Sequence, residues 1–492
     1  MSSGCANNSA AERRVLSLLH DRAARGHLPA IYAHVLRHDL RGSDPVATHL
    51  VSTCTAVRRP SFALRLFRHH PSPSLFLFSA TIKALSLSLA YAPDAFRLFA
   101  LLRSRYLSPD RLTISPLLKA AAHIADLRLA RSLHGFAFLS GFASHLPVAV
   151  GLLELYNSCG HMFDAHKVFN EMPQRDVIAW NLMINGYCKK GDWESALGLF
   201  RRMNERSVVT WNSIIAGLAR CGQDIYTLQI FHEMWETSGF EPDDATVVAV
   251  LPVCARLGEL DLGIQIHRYA ERKGLLNDAL HVANSIIDMY CKCGDLASAK
   301  ALFDEMPQRT VVSWNAMIGG MSFNGRGQEG LDLFDEMLRR RERPNGGTFV
   351  SVLGCCTHEG RVERGQEIFQ SMAVEHGVRP GMEHYGCMVD LLGRRGKVVE
   401  AYGLVRSMPM RANAAIWGAL LSACRSFGEL GMAEVAVKEL IELEPWNSGN
   451  YVLLGNLLSE MGKWEEAEKV RLLMKGKSVE KSPGQSLVVA EI

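Results

Sequence analysis

The 492-residue chain has no uninterrupted apolar run long enough to cross a bilayer, although 48% of its residues are hydrophobic. The apolar residues are spread evenly, as a large internal core requires, and no membrane association is expected. Net charge is scarce too: 54 Lys and Arg stand against 51 Asp and Glu, which leaves +3. A protein that grips a polyanion is usually more basic, so any nucleic acid would be held on a local face. None of the 12 cysteines forms a CxxC pair, and neither Cys291-Lys292-Cys293 nor Cys355-Cys356 has zinc-knuckle spacing. Cys159, Cys188, Cys221 and Cys293 instead recur near the end of one kind of helix, as small buried hydrophobes in a reducing compartment would. There is no GxxxxGK[ST] phosphate loop and no constellation around a nucleophile. No enzyme activity, catalytic residue, metal or cofactor is therefore expected.

What the chain has in abundance is itself. VIAWN at Val177 returns as VVTWN at Val208 and VVSWN at Val311. Trp180-Asn181 and Trp211-Asn212 are 31 residues apart, and Trp314-Asn315 repeats the pair. Self-similarity at this period is the mark of a solenoid. Within Val177–Ser207, Leu182, Ile184 and Tyr187 fall at helical spacing, and so do Ala196, Leu197, Phe200 and Met203. Lys190-Gly191-Asp192 separates the two runs. Gly191 can close the first helix in a left-handed cap, and Asp192 can open the second. Each unit is thus a helix hairpin with too little core to stand alone. The Phe-x-x-Met pairs, such as Phe200/Met203 and Phe303/Met306, mark the second helix as core.

Alignment on helix starts gives units 45–74, 75–110, 111–145, 146–176, 177–207, 208–243, 244–279, 280–310, 311–345, 346–381 and 382–413. Short units end in Met-Pro-x-Arg, as at Met172–Arg175 and Met306–Arg309. Long units end in Pro-Asp or Pro-Asn: Pro109-Asp110, Pro242-Asp243 and Pro344-Asn345. A third kind reads LPVCARLGELDLGIQIH (Leu251–His267). Residues 1–40 are rich in Arg (Arg13, Arg14, Arg22, Arg25, Arg37) and poor in acids, which suits an organelle transit peptide. The repeat-like stretch LPAIYAHVLRHDL also marks a degenerate first repeat there.

The alternation of unit lengths, WN near the unit start, PD at its end, and the phrases NSIIDMYCKCGDLASAKALFDEMP (284–307) and EHYGCMVDLLGRRGKVVEAYGLVRSMP (383–409) resemble plant pentatricopeptide-repeat proteins of the PLS subfamily. The resemblance runs over roughly residues 26 to 481. It implies an all-α fold: a right-handed superhelical solenoid of helix-turn-helix repeats over 45–413. Residues 414–481 look like the two E motifs that follow the last repeat, and their Tyr451, Leu453, Gly462, Trp464 and Ala467 look tetratricopeptide-like; a tail follows at 482–492. Relatives that extend into a zinc deaminase carry HxE followed by PCxxC, which this sequence does not contain. The resemblance therefore implies the E subgroup.

Stacked hairpins of this family read a single strand one base per repeat with two or three side chains. The resemblance assigns the first reader to Ser79, Asn181, Asn212, Asn284 and Asn315, and the second, at the unit end, to Asp110, Ser207, Asp243, Thr310 and Asn345. Three residues before the first reader, Phe76, Ile178, Val209, His281 and Val312 would press on the base face. An Asn near a helix start can also serve as its N-cap, which is the competing role. The recognition code of the family gives U for Asn212/Asp243, C or U for Asn315/Asn345, C for Asn181/Ser207, a pyrimidine for Asn284/Thr310 and G for Ser79/Asp110. With the last short repeat four nucleotides upstream of a target cytidine, these become U at −9, pyrimidines at −6, −7 and −10, and G at −13. Ser115, Val248, Val350 and Gly386 stand at the reader position elsewhere, so specificity is incomplete.

The function implied is a site-recognition factor for C-to-U editing of single-stranded organellar RNA, in the mitochondrion or alternatively the plastid. It would recruit a deaminase-bearing pentatricopeptide-repeat protein in trans and work with multiple organellar RNA editing factor proteins. The alternatives are a factor for RNA splicing or stability, and a peptide-binding scaffold. Basic residues such as Lys189, Lys190, Arg220 and Lys292 near the Asn-lined groove would discriminate against the scaffold.

Overall fold

The computed structural model describes residues 11–19 and 27–476, and every regular element among them is helical. The chain forms two compact units, residues 1–250 and 251–492. In the first unit the helices Asp44–Ala56, Leu75–Leu85, Arg111–Ile124, Leu146–Ser158, Val177–Lys190 and Val208–Arg220 form a row, each packed on the next. Each is backed by the second helix of its own hairpin, for example Trp193–Arg202 behind Val177–Lys190. In the second unit the row runs through Leu280–Lys292, Val311–Phe323, Gly346–Glu359, Met382–Arg394 and Ala414–Phe427. The hairpins Ala414–Phe427/Leu430–Leu443 and Ser448–Glu460/Trp464–Gly476 follow the last of the repeats.

The hairpin turn forms as its residues require. Gly191 takes φ 82° at the end of the first helix, and Asp192 accepts the Ser195 backbone N–H at 3.1 Å to open the second. The Phe-x-x-Met side chains lie in the core: Phe200, Met203, Phe231, Met234, Phe303 and Met306 are all buried. The Met-Pro-x-Arg ending proves to be more than a length marker. Arg309 donates from Nε to the carbonyl of Phe303 (2.9 Å) and from Nη2 to that of Asp304 (3.0 Å). Its guanidinium also lies 4.5 Å from the Phe303 ring centroid. Arg175 does the same for Phe169 and Asn170. Arg175 and Arg309 thus satisfy orphan carbonyls at the ends of their second helices and cover the core aromatic.

First helices approach one another through a small-residue contact. A Cβ built on Gly320 would collide with Sγ and Cβ of Cys291 in the preceding hairpin, and one on Gly217 with Sγ of Cys188. The described cysteines are free thiols, and burial pushes Cys188, Cys254 and Cys291 up to about 12. They pack as neutral hydrophobes.

At the N-terminus, residues 11–19 are helical with Val15 and Leu19 buried, and Ser43 Oγ donates to Glu12 Oε1 at 2.5 Å. The rest of the expected leader, residues 1–10 and 20–26, and the tail 482–492 lie outside the described residues. No described helix is long and apolar enough to cross a membrane.

Two glycine substitutions separate close approach from helix propensity. Gly320→Ala overpacks the Cys291 contact and should destabilise the protein by about 1–3 kcal/mol. Gly418→Ala meets nothing within 4 Å in the helix Ala414–Phe427 and should be neutral or stabilising by up to about 1 kcal/mol. Urea midpoints of the two variants, opposite in sign relative to wild type, check this.

Candidate nucleic-acid interface

The last residue of a unit is the N-cap of the next unit's first helix. Asp110 accepts the Thr113 N–H (2.8 Å), Ser207 that of Thr210 (3.3 Å), Asp243 that of Thr246 (2.9 Å) and Asn345 that of Thr348 (3.0 Å). At Thr310 the box closes from the other side, with its backbone N–H donating to Ser313 Oγ at 3.1 Å. Ser, Thr, Asp and Asn occur at these unit ends because a helix start wants them there. The capping role therefore belongs to the unit ends, and Asn181, Asn212, Asn284 and Asn315 sit at the fifth residue of their helices instead.

Capping also carries each unit end to the side of the preceding first helix. Asn212 Nδ2 donates to both carboxylate oxygens of Asp243, at 2.8 and 3.0 Å. Asn315 Nδ2 donates to Asn345 Oδ1 at 3.1 Å. Ser79 reaches Asp110 through one intermediary: its hydroxyl bonds that of Thr113 (2.7 Å), which donates to Asp110 Oδ1 (2.7 Å). Asn181 with Ser207, and Asn284 with Thr310, have no such direct bond, and Oδ1 of both Asn181 and Asn284 is buried without a hydrogen-bond partner. Of the five expected pairs, Asn212/Asp243 and Asn315/Asn345 are bonded directly and Ser79/Asp110 through Thr113.

The positions expected to press on a base face are exposed, although four of the five are apolar. Phe76, Ile178, Val209 and Val312 are between 55% and 68% exposed, and His281 is exposed beside them in register. Leu112, at the same place in its unit and 57% exposed, was missed. A cavity of about 500 Å³ in the first unit is lined by Phe76, Ser79 and Leu112, with Lys83 and Arg111 at its walls. In the second unit a cavity of about 610 Å³ brings together His281, Asn284, Thr310, Val312 and Asn315. Each has two exposed non-polar or aromatic faces flanking a polar floor, a slot of the kind a planar heterocycle fills. Lys189, Lys190, Arg220 and Lys292 are exposed two turns further along the same helices. Lys292 donates to Asp288, a residue of the larger cavity's wall, at 2.8 Å.

The sequence reading also missed the third helical residue: Thr113, Thr210, Thr246, Ser313 and Thr348. The recurrent pattern of a capping residue followed three positions later by a hydroxyl was visible in the sequence as a capping box. It was not connected to the neighbouring unit. Thr246 donates to Asn212 Oδ1 (2.5 Å) and Thr348 to Asn315 Oδ1 (2.6 Å). In the unit that starts at Met382 the place is taken by His384, whose Nδ1 accepts the Gly381 N–H at 3.0 Å while Nε2 faces the Gly346 carbonyl at 2.9 Å. Acceptance at Nδ1 fixes the proton on Nε2.

Comparison with known proteins gives a consistent picture. The PPR repeat family matches residues 151–177, 178–208, 209–237, 284–307, 309–358, 347–375 and 383–411, and the E motif matches 427–489. An Arabidopsis thaliana pentatricopeptide repeat-containing protein is 50% identical over 478 residues, 97% of this chain and 98% of the relative. A second from the same plant, named as mitochondrial, is 34% identical over 93% of this chain and 68% of its own length. Among solved structures, the pentatricopeptide repeat protein PPR10 from maize aligns over 98% of this chain and 89% of its own, at 16% identity and a TM-score of 0.47.

The Asp243 carboxylate tests the capping network. Burial works against its charge, but hydrogen bonds from the Thr246 N–H, the Thr246 hydroxyl and the Asn212 amide outweigh it and hold its pKa below the ordinary 3.8. A depressed carboxylate contributes stability above its unfolded pKa and loses it as pH falls through the folded one. Wild type should exceed Asp243→Asn by up to about 1 kcal/mol, a figure reduced for solvent screening. That margin should be constant from pH 7 to 5 and shrink below pH 3.8, in urea midpoints recorded across the range.

Proposed function

Because this chain belongs to the pentatricopeptide-repeat family, with PPR repeats and an E motif, we propose that it is an organellar, sequence-specific single-stranded RNA-binding protein that marks sites for C-to-U editing. The observation that carries the reading is the Asn212–Asp243 pair set beside the exposed Val209. An apolar side chain lies against the face of a base, and two polar groups meet its edge.

The chemistry of the edge follows from the capping bonds. Asp243 Oδ1 is occupied by Thr246 and Asn212, and the ionised carboxylate still has lone pairs to offer. Uracil presents N3–H as a donor between two carbonyl acceptors, so it suits a carboxylate acceptor beside an amide donor. At Asn345 the oxygen is likewise occupied, by the Thr348 N–H and Asn315 Nδ2. What remains is its amide nitrogen, a donor, and cytosine N3 is an acceptor. The same geometry therefore favours U at unit 208–243 and C at unit 311–345. Asn181/Ser207, Asn284/Thr310 and Ser79/Asp110 read further bases, and Ile178, His281, Val312 and Phe76 press on their faces. Lys83, Arg111, Lys189 and Arg220 supply positive charge for phosphates.

The E region follows the repeats and leaves Trp446 and Trp464 mostly exposed, which supports a protein-docking role. In this reading a deaminase-bearing partner docks there in trans, multiple organellar RNA editing factor proteins assist, and the compartment is the mitochondrion.

Two measurements test this. Asp243→Asn should move the preference at one nucleotide from U toward C by roughly 5- to 50-fold, the worth of one edge contact, in fluorescence anisotropy with RNAs differing only there. Sequencing of organellar transcripts from a null mutant should reveal lost C-to-U editing at one or a few sites bearing U at −9 and pyrimidines at −6 and −7. Unchanged editing with a splicing or abundance defect would remove the editing role and leave RNA binding.

A further inference from the structure

We propose that Thr246 and Thr348 are positioning residues that lock the amide orientation of the neighbouring Asn212 and Asn315, so that these two repeats discriminate bases sharply while those of Asn181 and Asn284 read degenerately. The inference rests on the RNA-binding reading above and divides its base readers into two classes.

The division begins with the chemistry of the unit end. Asp243 and Asn345 have a branched cap group with two polar atoms. Such a group can accept the N–H of its own helix and still reach sideways to the amide of the preceding one. With Nδ2 of the reader held there, its Oδ1 is turned to the hydroxyl of Thr246 or Thr348, at 2.5 and 2.6 Å. Both ends of the amide are then assigned. A rotation that exchanged its oxygen and nitrogen would set oxygen against a carboxylate or carbonyl oxygen, lose the bond there, and push the threonine hydroxyl proton off the reader's oxygen. Ser79 is tied by the same device through Thr113 to Asp110.

Ser207 and Thr310 have one cap oxygen each. Thr210 and Ser313 lie 3.1 and 3.3 Å from those hydroxyls and share their bonds within the turn. Nothing reaches the readers: Oδ1 of Asn181 and of Asn284 is buried and unpartnered, although both residues are more than nine-tenths buried. An orphaned amide oxygen gains by turning toward any donor. A half-turn about the last side-chain bond exchanges donor for acceptor at the base edge, so these two amides adapt to the base they meet. Locked readers lie in units that end in Pro-Asp or Pro-Asn, and adaptable readers in units whose ending contains Met-x-x-Arg.

The test uses the full-length protein and a panel of single-stranded RNAs in which every nucleotide of one bound sequence is varied in turn. Wild type should discriminate at least ~10-fold at the nucleotides facing units 208–243 and 311–345, and under ~3-fold at those facing 177–207 and 280–310. Thr246→Val keeps shape and removes the hydroxyl. It should reduce discrimination to under ~3-fold at a single nucleotide, with matched affinity within ~5-fold of wild type, and Thr246→Ser should restore it. Thr348→Val should do the same three nucleotides toward the 3′ end. A merely structural role would weaken all RNAs alike. Discrimination unchanged in both valine variants, or lost uniformly along the RNA, overturns the proposal. A wild-type protein that binds no RNA in the panel overturns the RNA-binding reading, and this inference with it.

Discussion

The structure depends on one hydrogen bond that recurs along the chain, from the third N–H of a first helix to the side chain of the residue that closes the preceding unit; His145, Ala279 and Gly381 stand at that place without it. Asp110, Ser207, Asp243 and Asn345 all make it. It is worth about 1 kcal/mol per helix as a cap. Its larger effect is positional. A capping side chain is held within one turn of its own helix and against the flank of the preceding one, so a local requirement fixes a contact between units. The Asn212–Asp243 bond exists because Asp243 is already anchored as a cap.

Around that bond the hairpins are held by contacts of three other kinds. Arginine at the short-unit ends satisfies second-helix carbonyls, as Arg309 does for Phe303 and Asp304. Glycine facing cysteine lets first helices come together, as Gly320 does against Cys291. Polar His–Tyr bonds join second helices to the next first helix: His134 to Tyr156 and His267 to Tyr290, both at 2.9 Å. The glycine–cysteine and His–Tyr contacts join consecutive units, as hairpins that cannot stand alone require.

The hairpins were legible in the sequence because their signals are local: the apolar period, Gly191, Asp192 and the Phe-x-x-Met pairs all act within one unit. The site was legible only in outline. The family resemblance marked Asn212 and Asp243 as a pair, but nothing in a linear reading says that Thr246 lies between them, since that contact spans 34 residues. Leu112 escaped because its unit places Ser115 at the reader position, without a paired residue assigned at its end. The extra length of unit 208–243 gave no hint of its form. It is absorbed partly by a π-helical turn at Glu233–Thr237, a backbone pattern with no sequence signature of its own.

The glycine–cysteine contact has a consequence for chemistry as well as packing. Cys188 and Cys291 each face a glycine across a gap with no space even for a methyl group. An added oxygen, nitrosyl or glutathione on either sulfur would have nowhere to go while the hairpins are closed, and burial holds both thiols protonated up to about 12. Modification of these sulfurs therefore requires two neighbouring hairpins to part first. The rate at which a thiol label enters at Cys188 or Cys291 becomes a gauge of how often that one joint in the stack opens.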